Sequence, residues 1–178
     1  MKDELTTYLE SLIKDVPLYV YVIFLIVFGV GVILIMIRKR EKSVKSIATL
    51  LFVEYISLLF CSTVLFRAAN DVRSYELTPF WSYDRPDLLI ENIMNAVVFV
   101  PVGILLGCLL RNITWWIVLF VGISISVSIE ISQFFLKCGF SELDDVIHNT
   151  MGCMIGYGII SLIRYGYEKV SERRMAVL

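Results

Sequence analysis

The sequence is poor in the residues on which most catalytic chemistry depends. It has one histidine, His148. Its four cysteines, Cys61, Cys108, Cys138 and Cys153, form no CxxC pair and have no metal-ligand spacing. No metal site and no cofactor are therefore expected. Three of the cysteines fall in apolar runs, where a thiol acts as a small hydrophobe. A Cys61–Cys138 bridge is conceivable, because both lie near the same membrane face. An excess of charge is also missing. The 16 Lys and Arg nearly balance the 17 Asp and Glu, for a net charge of -1. No global field is present to recruit nucleic acid. No internal repeat, low-complexity tract or nucleophile motif is visible. A cleavable signal is not expected either, because the positive cluster RKREKSVK follows the first apolar run instead of preceding it.

What the chain has in abundance is apolar residues. They make up 58% of the sequence, against about 45–50% in soluble domains. A bilayer core of about 30 Å takes about 20 helical residues to cross. Five runs are long enough: 16–37, 47–66, 88–110, 115–136 and 145–163. The expected fold is all-α, an integral membrane bundle of five transmembrane helices spanning 16–163. Residues 1–15 place Leu5, Tyr8, Leu9 and Leu12 at helical spacing. They read either as an interfacial amphipathic segment or as an extension of the first span. Residues 164–178 read as a basic tail.

Lys and Arg in short loops set orientation. Arg38, Lys39, Arg40, Lys42 and Lys45 lie between the first two spans, and Arg111 lies between the third and fourth. Arg164, Lys169, Arg173 and Arg174 follow the fifth. The opposite side is sparser for its length. The N-terminus is therefore expected outside and the C-terminus in the cytoplasm. Trp115 and Trp116 then fall at the cytoplasmic interface, where tryptophan is favoured.

This topology turns scattered polar residues into a cluster. Asn92 and Asn95 open the third span, Glu130 and Gln133 close the fourth, and Asp145, His148 and Asn149 open the fifth. At 1.5 Å rise per residue, all lie within about 10 Å of the outer boundary. An ionisable group costs about 2.5–3.5 kcal/mol at the centre of a span, so these groups are expected to turn inward and bond one another. Each also has a plainer reading. Asp144 and Asp145 suit a helix N-terminus, which favours carboxylates. His148 lacks a second ligand and reads as a hydrogen-bonded interfacial residue. Gly103 with Gly107, and Gly152 with Gly156, are small-residue packing pairs. Pro101 is expected to kink its helix. Glu54 reads as the partner of a loop cation. In the long loop 67–87, Leu77, Thr78, Pro79 and Phe80 form a rigid turn that reads as a lid over the cluster or as an interfacial anchor.

Four segments, LTPF at 77–80, ENIMNAVVFVPVGILLG at 91–107, SIEISQF at 128–134 and DDVIHNTMGCMIGY at 144–157, together resemble the VanZ-like family in order and spacing. The resemblance implies a small bacterial cell-membrane protein, with a type member linked to resistance to lipoglycopeptide antibiotics such as teicoplanin. The recurring positions are Asn92, Asn95, Phe99, Pro101, Gly103, Glu130, Gln133, Asp145, Asn149 and Gly152. One departure stands out. Many relatives carry an arginine before the acidic pair, after a glycine. Here Phe140 and Ser141 follow Gly139, which leaves Lys137 or Arg67 as substitutes.

Two functional classes fit. In the first, an outer-leaflet pocket of Asn92, Asn95, Phe99, Glu130, Gln133, Asp144, Asp145 and Asn149 binds an amphiphile. That ligand would be a lipoglycopeptide, a cell-wall lipid precursor or a membrane lipid. In the second, a membrane enzyme acts on a lipid-linked substrate, with Glu130 and Asp145 as acid and base and His148 as an alternative base. A transporter subunit is a weaker third reading, because polarity does not continue through the inner half.

Overall fold

A computed structural model describes residues 16–37 and 43–175. The expected segment 1–15 and the cations 38–42 lie outside the described residues. Among those described, five helices are long and apolar enough to cross a membrane. They are α1 (Leu18–Ile37), α2 (Ser43–Phe60), α3 (Pro86–Leu109), α4 (Trp115–Leu136) and α5 (Leu143–Met175). The helix boundaries follow local chemistry. Pro86 stands in the first turn of α3, where its missing N–H costs nothing. Lys137 takes a left-handed conformation and ends α4. Asp144 and Asp145 occupy the first turn of α5, at the positive end of the helix dipole.

The core is the parallel pair α3 and α5, with α4 against α5, α2 against α3, and α1 at the edge on α2. Glycine makes that central pair possible. A Cβ added at Gly152 would stand 1.9 Å from the Ala96 carbonyl oxygen, and one at Gly103 would stand 1.8 Å from that of Cys153. The two backbones touch, as small-residue seams allow. Gly156 meets the Val100 carbonyl in the same seam, and Gly107 meets the Ile160 side chain. Pro101 sits inside α3 without breaking it. The neighbouring Val98 carbonyl accepts the Tyr55 hydroxyl at 2.6 Å, which ties α2 to α3 where the proline disturbs the helical ladder.

Two boundaries differ from expectation. The fifth helix continues past residue 163 to Met175. Hydropathy marks the edge of lipid, whereas residues 164–175 hold no proline to stop a helix. The end of α2 widens into a π-helical turn, Cys61–Leu65, closed by the Phe66 N–H donating to the Cys61 carbonyl. All four cysteines are free thiols. Glu54 sits near the middle of its span, and its Oε1 has no hydrogen-bond partner among the described residues. Of the cations in the loop proposed to pair with it, Arg38, Lys39, Arg40 and Lys42 lie outside those residues.

Candidate functional site

At the end of the bundle carrying loop 67–85, three chain segments converge on the start of α5. A short parallel ladder joins β1 (Tyr75–Glu76) to β2 (Ser141–Glu142). It pins the long loop to the α4–α5 turn. The Asn70 side chain reinforces the contact by donating to the Gly139 carbonyl at 3.0 Å.

The adjacent carboxylates Asp144 and Asp145 point to different places. Asp144 has no exposed surface. Its Oδ1 accepts the Phe80 N–H at 2.6 Å. Its Oδ2 accepts the Ser82 N–H at 3.2 Å and the Ser82 hydroxyl at 2.5 Å. Asn92 Nδ2 donates to the same hydroxyl oxygen at 2.8 Å. Asp144 and Asn92 are thus anchors for the loop and do not line the pocket, contrary to the sequence expectation. His148 belongs to the same side. It bonds the Asp144 carbonyl at 2.6 Å and the Tyr83 hydroxyl at 3.1 Å.

Asp145 faces the bundle interior. A partly open cavity of about 130 Å³ is lined by Asn95, Phe99, Glu130, Gln133, Asp145 and Asn149, together with Ser62, Thr63, Arg67 and aliphatic side chains. Six of the residues expected to share a pocket therefore do share one. Asn95 Nδ2 donates to Asp145 at 2.7 Å. Glu130 Oε2 accepts the backbone N–H of Glu142 at 2.9 Å. Asn149 Nδ2 donates to the fully buried Ser126 hydroxyl at 2.9 Å. The Gln133 amide donates to the Thr63 carbonyl at 3.0 Å. That carbonyl is available because it lies in the π-helical turn, a distortion that often accompanies functional sites. Gln133 Oε1 has no hydrogen-bond partner among the described residues, although the residue is only 3% exposed. A buried orphan acceptor of this kind costs about 1–3 kcal/mol.

Of the two cations expected as substitutes, Arg67 is the one at this cavity. Exposed Arg67 lines the cavity with Glu130 and Asp145. Its guanidinium rests on Gly139, where a Cβ would stand 2.8 Å from Cζ. Gly139 has φ +108°, a second reason for glycine there. Lys137 points elsewhere, donating to the Asp71 carbonyl at 3.3 Å. Residues 77–80 do not roof the cavity. Leu77 instead borders a separate apolar groove of about 560 Å³, with Val127, Ile131, Phe134, Phe135, Leu143 and Val146 among its walls. Glu130 lines both spaces. The Arg73 guanidinium stands over the Phe134 and Phe135 rings at 5.6 and 5.9 Å.

Sequence reasoning missed Ser126, Ser82 and Thr63. Ser126 was findable, since it continues the Glu130–Gln133 stripe one turn back. Thr63 contributes a backbone carbonyl, which no side-chain pattern reveals.

Glu142, at the loop end, is pH-sensitive. Burial pushes its carboxyl up to about 7, the negative charge of Asp145 adds to the rise, and the bond from Trp81 opposes it. The fold therefore favours neutral Glu142. Its contribution to stability is complete below the unfolded value of 4.5 and is lost as pH rises through about 7. Relative to Glu142→Gln, the wild-type Tm should fall across that window in detergent. A Tm difference that stays flat with pH would show that Glu142 does not titrate this way.

The family model described as VanZ/LLP1 matches residues 18–164. The chain belongs to the VanZ/LLP1 family. Protein VanZ of Enterococcus faecium is 32% identical over 90 residues, which cover 51% of this chain and 54% of that protein. The match thus spans about half the length of that relative. No solved structure matches the chain.

Proposed function

We propose that this family member binds an amphiphile in the outer leaflet of a bacterial cell membrane, and that this contributes to resistance against teicoplanin-type lipoglycopeptides. The observation that carries the reading is the shared wall. Glu130 lines both the polar cavity and the apolar groove, so a single ligand could place a headgroup in one and a hydrocarbon chain in the other. The outward placement of this end follows from the Lys and Arg distribution. The occupant would be a membrane lipid, a cell-wall lipid precursor or the acylated drug itself. Glu130 and Asp145 each already accept a protein donor. That suits fixed acceptors better than an acid and base that must exchange protons, so binding is favoured over catalysis.

The test is drug survival in a sensitive bacterium expressing the protein. Glu130→Ala and Asp145→Ala should each return the inhibitory concentration of a teicoplanin-type drug to that of the empty vector, at matched membrane abundance. Unchanged protection by both variants would remove the cavity from the resistance mechanism.

A further inference from the structure

We infer that the cavity takes a primary ammonium, carried on the headgroup of a phospholipid. This rests on the amphiphile reading and narrows it to a headgroup class.

Three features converge. The first is the excess of acceptors. The cavity wall carries two carboxylates, Glu130 and Asp145, and one guanidinium, Arg67. The second is the orphan. Gln133 lines the space, is nine-tenths buried or more, and its Oε1 has no donor among the described residues. Its amide nitrogen is already committed to the Thr63 carbonyl, so the side chain presents its oxygen to the cavity. An occupant must therefore donate hydrogen bonds. An ammonium has three N–H donors and no acceptor, which matches Glu130, Asp145 and Gln133 Oε1. A carboxylate or phosphate would face these same acceptors and be repelled. A quaternary ammonium has the charge but no N–H, and would leave Gln133 Oε1 orphaned.

The third feature is position. The cavity of about 130 Å³ would hold only a few waters, each with about 30 Å³ of liquid volume, so it fits a small headgroup and not a whole lipid. Arg67 is the exposed member of its wall and stands where a headgroup phosphate would leave the cavity. Arginine is well suited to phosphate oxygens. Beyond Glu130, the groove walled by Ile131, Phe134 and Phe135 would receive an acyl chain.

The test is a ligand series on the unaltered, detergent-purified protein, followed by native mass spectrometry and thermal shift. The probes are short-chain phosphatidylethanolamine, phosphatidylcholine and phosphatidylglycerol with identical chains, and free ethanolamine. Phosphatidylethanolamine should bind at least about tenfold more tightly than each of the other three. Glu130→Gln should reduce that preference. Equal binding of the choline or glycerol lipid would overturn the ammonium assignment and leave the amphiphile reading standing. Free ethanolamine binding as tightly as its lipid would instead sink the amphiphile reading. Binding of none of the four would overturn the assignment regardless of how any variant folds.

Discussion

Gly152→Val should prevent the bundle from forming. A Cβ at this position would lie 1.9 Å from the Ala96 carbonyl oxygen, with the Ala96 carbon and Cα also inside 3.0 Å. The obstacle is backbone, so no side chain can rotate away. Either α3 and α5 separate along their length or the substituted protein is not recovered. Overpacking of ordinary cores costs about 1–3 kcal/mol, and a clash with rigid backbone falls at or above the top of that range. The measurement is monodisperse yield by size exclusion, with thermal unfolding of whatever remains. Gly158→Ala is the control on the same helix. Nothing lies within 4 Å of its added Cβ, so it should be neutral or stabilise the helix by up to about 1 kcal/mol. Comparable yields for the two variants would contradict the backbone seam. The seam matters for the site as well as the fold, because it fixes the rotation of α5 and therefore the direction of Asp145.

Asp144→Ala should release the long loop while leaving the bundle assembled. The substitution removes the acceptor for the Phe80 N–H, the Ser82 N–H and the Ser82 hydroxyl together. Ser82 is fully buried, so water does not readily replace the lost partner. With each of the two orphaned buried Ser82 donors costing about 1–3 kcal/mol, the loop should lose about 3 kcal/mol of local stability. Cleavage of a transiently open segment follows the population of the open form. Trypsin cutting at Arg73 should therefore be about 100-fold faster in the variant. Asp144→Asn retains one carbonyl oxygen and should fall between the two. Unchanged cleavage in Asp144→Ala would mean that the β1–β2 ladder alone holds the loop. Because residues 77–80 do not line the cavity, a freed loop should weaken the groove beside Leu77 more than the cavity itself.

The linear sequence determined a good deal about this protein. Apolar runs of bilayer length specified five helices, and helix rise alone placed Asn95, Glu130, Gln133, Asp145 and Asn149 at one depth. The glycine pairs announced a close seam. These are properties of period and composition, which survive without knowledge of neighbours. Hydropathy could not tell where α5 stops, because a helix continues into water wherever no residue breaks it. Nor could it separate Asp144 from Asp145. Neighbouring residues on a helix point about 100° apart, at 3.6 residues per turn. Which of them faces the cavity depends on how α5 is rotated, and contact of Gly103, Gly152 and Gly156 with opposing backbone sets that rotation. The choice of Arg67 over Lys137 was likewise tertiary. It follows from a left-handed turn at Lys137 and from the absence of a side chain at Gly139. The Thr63 carbonyl became a partner for Gln133 because α2 ends in a π-turn beside α4. The sequence therefore determined which polar groups reach this end of the bundle. Packing between helices decided which of them share a cavity and which hold the loop, because side-chain direction depends on helix rotation and local depth does not.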